Sequence, residues 1–208
     1  MYALVESGNI TKIFHNPQGF KLGDNQYSAD VFTKWSNSER EAIGIYAVII
    51  NDTNKKNDKW YTNTNQSFTY DDSAKTVTAT YGTATAKAHA DTNWTQTEID
   101  NGDAPTGATT STVKDEGLKT ILVRQVKEQA GNILSKTDWY ITRNSEKSTA
   151  IPSDISTHRD AVRTKQAEME TAITNAADTA ALETLYTYTE QEDGTMTRPL
   201  GELPELES

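Results

Sequence analysis

The stretch "GLKTILVRQVKEQAGNILSK", residues 117–136, is where the hydrophobic pattern of this chain changes. Leu118, Ile121, Leu122, Val126, Ala130, Ile133 and Leu134 recur at steps of three and four, the period that places side chains on one face of an α-helix. The spacing predicts a helix with a single apolar stripe, slightly weakened by Gly131. A second helix is expected after Pro152, capped by Ser153. Along it Ile155, Val162, Met169 and Ala176 fall seven apart, the seam of a helix laid against another helix. Asp178 is placed to cap a third, short helix, "TAALETLY". Residues 118–190 therefore read as an antiparallel helical hairpin with a third short helix.

The connection between the two long helices holds an unusual group of side chains. If the first helix ends near Lys136, Asp138 lies just past it, and Trp139 is expected to fold back into the groove between the helices. Burial of an indole there would stabilise the corner by roughly 2–3 kcal/mol. Arg159 and Arg163 lie one turn apart on the second helix, each positioned to reach Asp138 or Glu146. A partly exposed ion pair of that kind adds only about 0–1 kcal/mol.

Upstream, the residue types are those of strands. "YALVE" and "ITKIF" flank Ser7-Gly8-Asn9, the turn chemistry of a hairpin. Ser36 precedes Glu39 by three residues, the capping-box spacing, so "SNSEREAI" is expected to form a brief helix that Gly44 ends before a core strand "IYAVII". "SFTY" and "TVTATY" flank "DDSAK" and predict a second, half-buried hairpin. Residues 1–100 thus read as a small β-rich docking module. Residues 101–117, rich in Gly, Pro, Thr and Asp, read as a linker. The end, residues 191–208, is acidic and carries two prolines. It reads as an extended tail, peripheral to folding, either disordered or docked on a neighbouring subunit. The fold class expected is α+β.

Composition restricts the function. The chain has 208 residues, 35% of them hydrophobic, and a mean hydropathy of −0.72, so its core is expected to be thin or completed by neighbouring chains. The net charge of −10 argues against nucleic acid, because no basic patch outweighs that field; Lys55, Lys56 and Lys59 sit among Asn and Asp in what reads as a solvated loop. There is no cysteine, hence no disulfide and no thiolate metal site. No run of about 18 apolar residues occurs, and neither a secretory signal nor membrane insertion is expected.

Catalytic motifs are not legible. His15, His89 and His158 are scattered and lack zinc-ligand spacing, and there is no phosphate-binding glycine loop or nucleophile elbow. The chain is expected not to be an enzyme and to need no cofactor. Trp35, Trp60, Trp94 and Trp139 suit a core or a protein interface, with a sugar-stacking platform as the alternative.

Several of these segments carry a resemblance. A helix running into Thr137-Asp138-Trp139, then Arg143, then Ile151-Pro152 opening a helix with His158, Arg159 and Arg163 resembles the C-terminal module of tailed-bacteriophage tail assembly chaperones and related tail-associated virion proteins. The likeness covers roughly residues 118–175. The start is also similar to phage modules that read Y-A-L-V-E-x-G-x-I-T-K and then W-S-x-x-E-R-x-A-I-G-I-Y, carried here by Trp35, Ser36, Glu39, Arg40, Gly44 and Tyr46. Residues 50–117 match no such pattern. The resemblance implies other phage tail or fibre proteins as partners, a symmetric oligomeric assembly, and location in the virion tail or, during assembly, the host cytoplasm. It leaves open a resident structural or adaptor component, a transient fibre assembly chaperone, and a receptor- or glycan-binding module at the tail tip. Asp138, Trp139, Arg143, Arg159 and Arg163 are the candidate hairpin-closing or partner-binding residues, with Trp35, Glu39 and Tyr46 in the N-terminal module.

Overall fold

The computed structural model describes residues 1–206. The fold is α+β, as expected, and divides into two compact units, a β-rich one of residues 1–85 and a largely helical one from Ala86 onward. The division falls at Thr85/Ala86 and not at residue 100, because the segment after Ala86 packs on the helices.

In the first unit, β1 (Tyr2–Glu6) and β2 (Asn9–Phe14) form the expected hairpin. Alternation along β1 sends Tyr2 and Leu4 to one core and Ala3 and Val5 to another, so the strand is buried on both faces. A register shift where Val5 faces Ile10 and Leu4 faces Lys12 leaves Thr11 as the extra residue of a bulge. The bulge lets Ile10 and Ile13, three apart, face the same core. The hairpin of β3 (Phe20–Leu22) and β4 (Asn25–Tyr27) and helix α1 (Asp30–Thr33) supply the other core, where the rings of Phe14, Phe20 and Phe32 lie 5.0–5.7 Å apart.

Helix α2 (Asn37–Ala42) begins with the expected capping box between Ser36 and Glu39. It ends at Gly44, with φ +78°, where a Cβ would stand 2.4 Å from the Val5 carbonyl oxygen; glycine alone fits there. Strand β5 (Ile45–Asn51) is a core strand only at its start. Ile45 is fully buried, but Ile49 and Ile50 are 54% and 51% exposed, because β1 pairs only with residues 45–47 and the strand runs on beyond it. After β6 (Tyr61–Thr62), strands β7 (Gln66–Asp71) and β8 (Thr76–Tyr81) make the expected second hairpin, with Val77 and Ala79 buried between half-exposed threonines. The sheet order is β2-β1-β5-β8-β7, with β5 and β8 parallel, and its edges β2 and β7 come close enough to curl it. Strand β9 (Thr85–Ala86) marks the boundary.

In the second unit, the expected linker over residues 101–117 is instead part of a folded lobe. Strand β10 (Thr92–Asn93) pairs with β11 (Val113–Asp115), and helix α3 (Gln96–Asp100) lies between them. Lys114 forms an ion pair with Glu98 and lies 4.9 Å from the Trp94 ring centroid, which fastens the lobe in spite of its small, polar residues. The lobe also caps the first long helix, α4 (Leu118–Ser135). Leu118 N donates to Ala88 O at 2.9 Å, Lys119 N to His89 O at 3.0 Å and Gly117 N to Asp91 Oδ1 at 2.7 Å, satisfying donors that a helix start leaves free. Gly117 is required by this approach, since a Cβ would stand 2.3 Å from the Ala90 carbonyl carbon.

The connection after α4 is not a simple break, for it forms helix α5 (Asp138–Lys147), closed by Ser148 in the left-handed region at φ 52°. Helix α6 (Ser153–Asn175) follows, with Pro152 and not Ser153 at its cap position. The expected seams are present: Leu122, Val126 and Ala130 on α4, and Ile155, Val162 and Met169 on α6, are buried, as is Ala176 just past its end. The pairing of α4 and α6 is antiparallel. Lys119 Nζ reaches Thr174 O at 2.8 Å, Lys127 reaches Glu170 at 3.4 Å, and Arg159 reaches Leu134 O at 2.7 Å. Asp178 caps α7 (Thr179–Tyr186), as expected.

The described part of the tail is neither free nor peripheral. Strands β12 (Thr189–Glu190) and β13 (Met196–Thr197) form a hairpin, and the chain then returns to its own helices. Leu200 is 2% exposed and its N–H donates to Leu185 O at 3.0 Å, while Arg198 lies 5.2 Å from both the Tyr186 and the Tyr188 ring centroids and pairs with Glu202 at 2.7 Å. The two prolines and the acidic side chains of this segment therefore accompany an intrachain dock.

Candidate functional site

The corner where α4 ends, α5 begins and α6 starts gathers four of the five candidate residues of the helical unit. Arg159 is buried on α6 and reaches across to the end of α4. Its Nη1 donates to Leu134 O and to Thr137 Oγ1, each at 2.7 Å, and its Nη2 lies 2.9 Å from Asp138 Oδ1. A cation thus adds a donor to a carbonyl at the end of α4 that also accepts from the Thr137 backbone N–H at 3.1 Å. Thr137, itself buried, donates from Oγ1 to the same carbonyl at 3.0 Å. The expected Arg159–Asp138 pair is present. Arg163 takes no part: it points outward and pairs with Asp160 at 3.1 Å, and Glu146 forms no ion pair among the described residues.

Trp139 overturns the expectation of a buried indole. It is 52% exposed, and no residue of α5 is buried. The reason is local geometry: Asp138 is drawn to Arg159 at the first position of α5, and the next side chain round the helix faces away from the corner. Trp139 lies against Tyr140, their ring centroids 3.8 Å apart, and the Arg143 guanidinium stands 4.8 Å from the first ring and 5.6 Å from the second. Ile141 is exposed beside them. Among the described residues Arg143 makes no hydrogen bond or ion pair, and its Nε is sealed from solvent without a partner. An aromatic pair and an unspent cation therefore stand on a helix whose base is fixed by a buried arginine.

The N-terminal candidates do not converge. Trp35 packs edge-on to Tyr27, 6.0 Å away, in the aromatic core. Glu39 is occupied by its cap, and hydrogen bonds from the Ser36 backbone and hydroxyl hold its carboxyl below the ordinary range. Tyr46 lies on the opposite face, where its hydroxyl meets that of Tyr70 at 3.3 Å; this bond, burial and Asp72 push the Tyr70 phenol up to about 12. Arg40 was not among the candidates, although it is the buried cation of this region. It donates to Trp35 O and Asn37 Oδ1 and stands 5.1 Å from the Tyr2 ring centroid. Its place one residue after the capping glutamate was the available signal. These residues build the module and form no common site.

Among the described residues no group of three or more His, Cys, Asp or Glu side chains is arranged to hold a metal ion, and no helix is long and apolar enough to cross a membrane. No family model matches this chain, nor does any curated protein or any solved structure.

Proposed function

We propose that this chain is a non-enzymatic, tail-associated bacteriophage protein, a structural or adaptor component that binds other virion proteins through the outer face of α5. The phage setting rests on the sequence resemblance. The observation that supports partner binding is the exposure of Trp139 and Ile141, with an unspent Arg143, on a helix that buries nothing of its own. Trp, Tyr and Arg are the side chains most enriched where interfaces concentrate their binding energy. Anchoring by Arg159 holds these groups in place before a partner arrives, which lowers the ordering cost of association.

The test is quantitative mass spectrometry of purified, salt-washed phage particles. A stable stoichiometric ratio of this chain to a major tail protein is the expected result. Presence in infected-cell lysate but absence from particles would make it a transient assembly chaperone and overturn the resident role.

A further inference from the structure

The β-rich unit carries a concave site of a different chemistry. On β7 and β8 the register pairs Tyr70 with Val77, Phe68 with Ala79 and Gln66 with Tyr81, so these six side chains share one face of the sheet. At one end Tyr70 and Val77 belong to the core. At the other the core gives out, and the same face becomes part of an open cleft of about 400 Å³ lined by Gln66, Phe68 and Tyr81 with His15, Thr64 and Asn65. The curl of the sheet explains the histidine: the edges β2 and β7 approach each other, and His15 directly follows β2.

The polar groups of this cleft are unspent. Among the described residues, the side chains of His15, Thr64, Asn65 and Gln66 make no hydrogen bond within the chain. Asn63, the other amide at the rim, shows the contrast. It donates to Lys56 O at 2.8 Å and Asp58 Oδ1 at 2.7 Å and accepts from Lys56 N at 2.9 Å, which fixes the loop that forms one wall. Two aromatic rings and four free donor-acceptor side chains, with no carboxylate among them, leave few suitable ligands. A purely apolar ligand would leave the amides unpaired. A pyranose satisfies both halves, since its C–H face covers an aromatic ring and its hydroxyls both donate to and accept from amide, imidazole and hydroxyl groups. Lys55, 5.6 Å from the Tyr81 ring centroid, adds a cation at the rim.

We infer that the cleft between His15, Thr64–Gln66, Phe68 and Tyr81 is a saccharide-binding site. It lies outside the helical unit and does not depend on the α5 surface.

The experiment applies the full chain to an array of neutral hexose, amino-sugar and acidic-sugar oligosaccharides, then titrates the best-retained one against ¹⁵N-labelled protein. Retention of at least one sugar class is expected, with amide shifts confined to residue 15, residues 63–68 and residue 81. Asn65→Ala and Tyr81→Ala are each expected to weaken binding by about tenfold or more. Asn65→Ala is expected to keep the native thermal midpoint, since its side chain makes no internal hydrogen bond. Trp139→Ala is expected to bind sugar as the native chain does, which separates this site from the partner surface. No retained oligosaccharide, or retention undiminished in both cleft variants, would overturn the assignment.

Discussion

Arg159 Nη2 lies 2.9 Å from Asp138 Oδ1, and the two ends of this ion pair differ sharply in exposure, the arginine side chain at 8% and the aspartate at 59%. The arginine belongs to the interior of the helical unit and the aspartate to its surface. A pair with one end in water contributes little by its charges alone. What Arg159 adds is a pair of charge-assisted hydrogen bonds, to the half-buried Leu134 carbonyl and the buried Thr137 hydroxyl, at the point where α4 stops.

This asymmetry predicts unequal mutants. Arg159→Met is expected to destabilise the helical unit by about 2–3 kcal/mol, since it removes charge-assisted hydrogen bonds to the Leu134 carbonyl and the buried Thr137 hydroxyl. Asp138→Asn is expected to cost at most about 1 kcal/mol. Thermal or urea unfolding of both variants checks the order, and equal losses would show that the ion pair itself dominates.

Trp139→Ala is expected to leave stability within about 0.5 kcal/mol of native, because the indole is exposed and α5 buries nothing. The same change is expected to weaken partner binding by about 2 kcal/mol or more. A large fall in the thermal midpoint would return Trp139 to the role of a core residue.

Leu200→Ala is expected to destabilise the helical unit by about 2–4 kcal/mol, the usual cost of a cavity at a fully buried leucine. Truncation after Glu192 is expected to cost at least as much, since it also removes Arg198 from between Tyr186 and Tyr188. Unfolding curves of the two variants measure this directly.

The lobe of residues 92–115 is expected to loosen in acid. The Lys114 ammonium bonded to Glu98, with the Thr95 backbone and hydroxyl, holds the Glu98 carboxyl at about 2, against an ordinary 4.5. A carboxylate with a lowered folded pKa stabilises fully above its unfolded value, and that contribution is lost as pH falls from about 4.5 towards 2. An NMR titration of the Glu98 carboxyl is expected to show a midpoint near 2, moving up in Lys114→Met. The protection of the lobe amides against hydrogen exchange, taken relative to the intrinsic rate at each pH, is expected to fall over the same pH range.

Sequence patterns were informative where burial is one-sided and regular. The seams on α4 and α6 repeat because each helix buries one stripe, and the two hairpins of the β-rich unit show their turns and alternation. Helix α5 escaped the same reasoning, since it is short and its apolar residues Trp139, Tyr140 and Ile141 are consecutive instead of recurring at steps of three and four. The lobe was hidden by its Gly, Pro and Thr content, although Thr95 and Glu98 have the same capping spacing as Ser36 and Glu39. For the tail, one buried leucine outweighed an acidic composition. Of the candidate site, Arg159 with Asp138 was legible as a charge pair across the hairpin. The outward turn of Trp139 was not, because it depends on which helical position the first residue of α5 occupies.

The most direct measurement is site-specific photo-crosslinking during infection, with a benzophenone amino acid in place of Trp139 and, as a control, in place of Ala161 on the exposed face of α6. The expected result is a discrete crosslink from position 139 to another tail or fibre protein, with none from position 161. Equal, diffuse labelling from both positions would contradict a partner surface on α5.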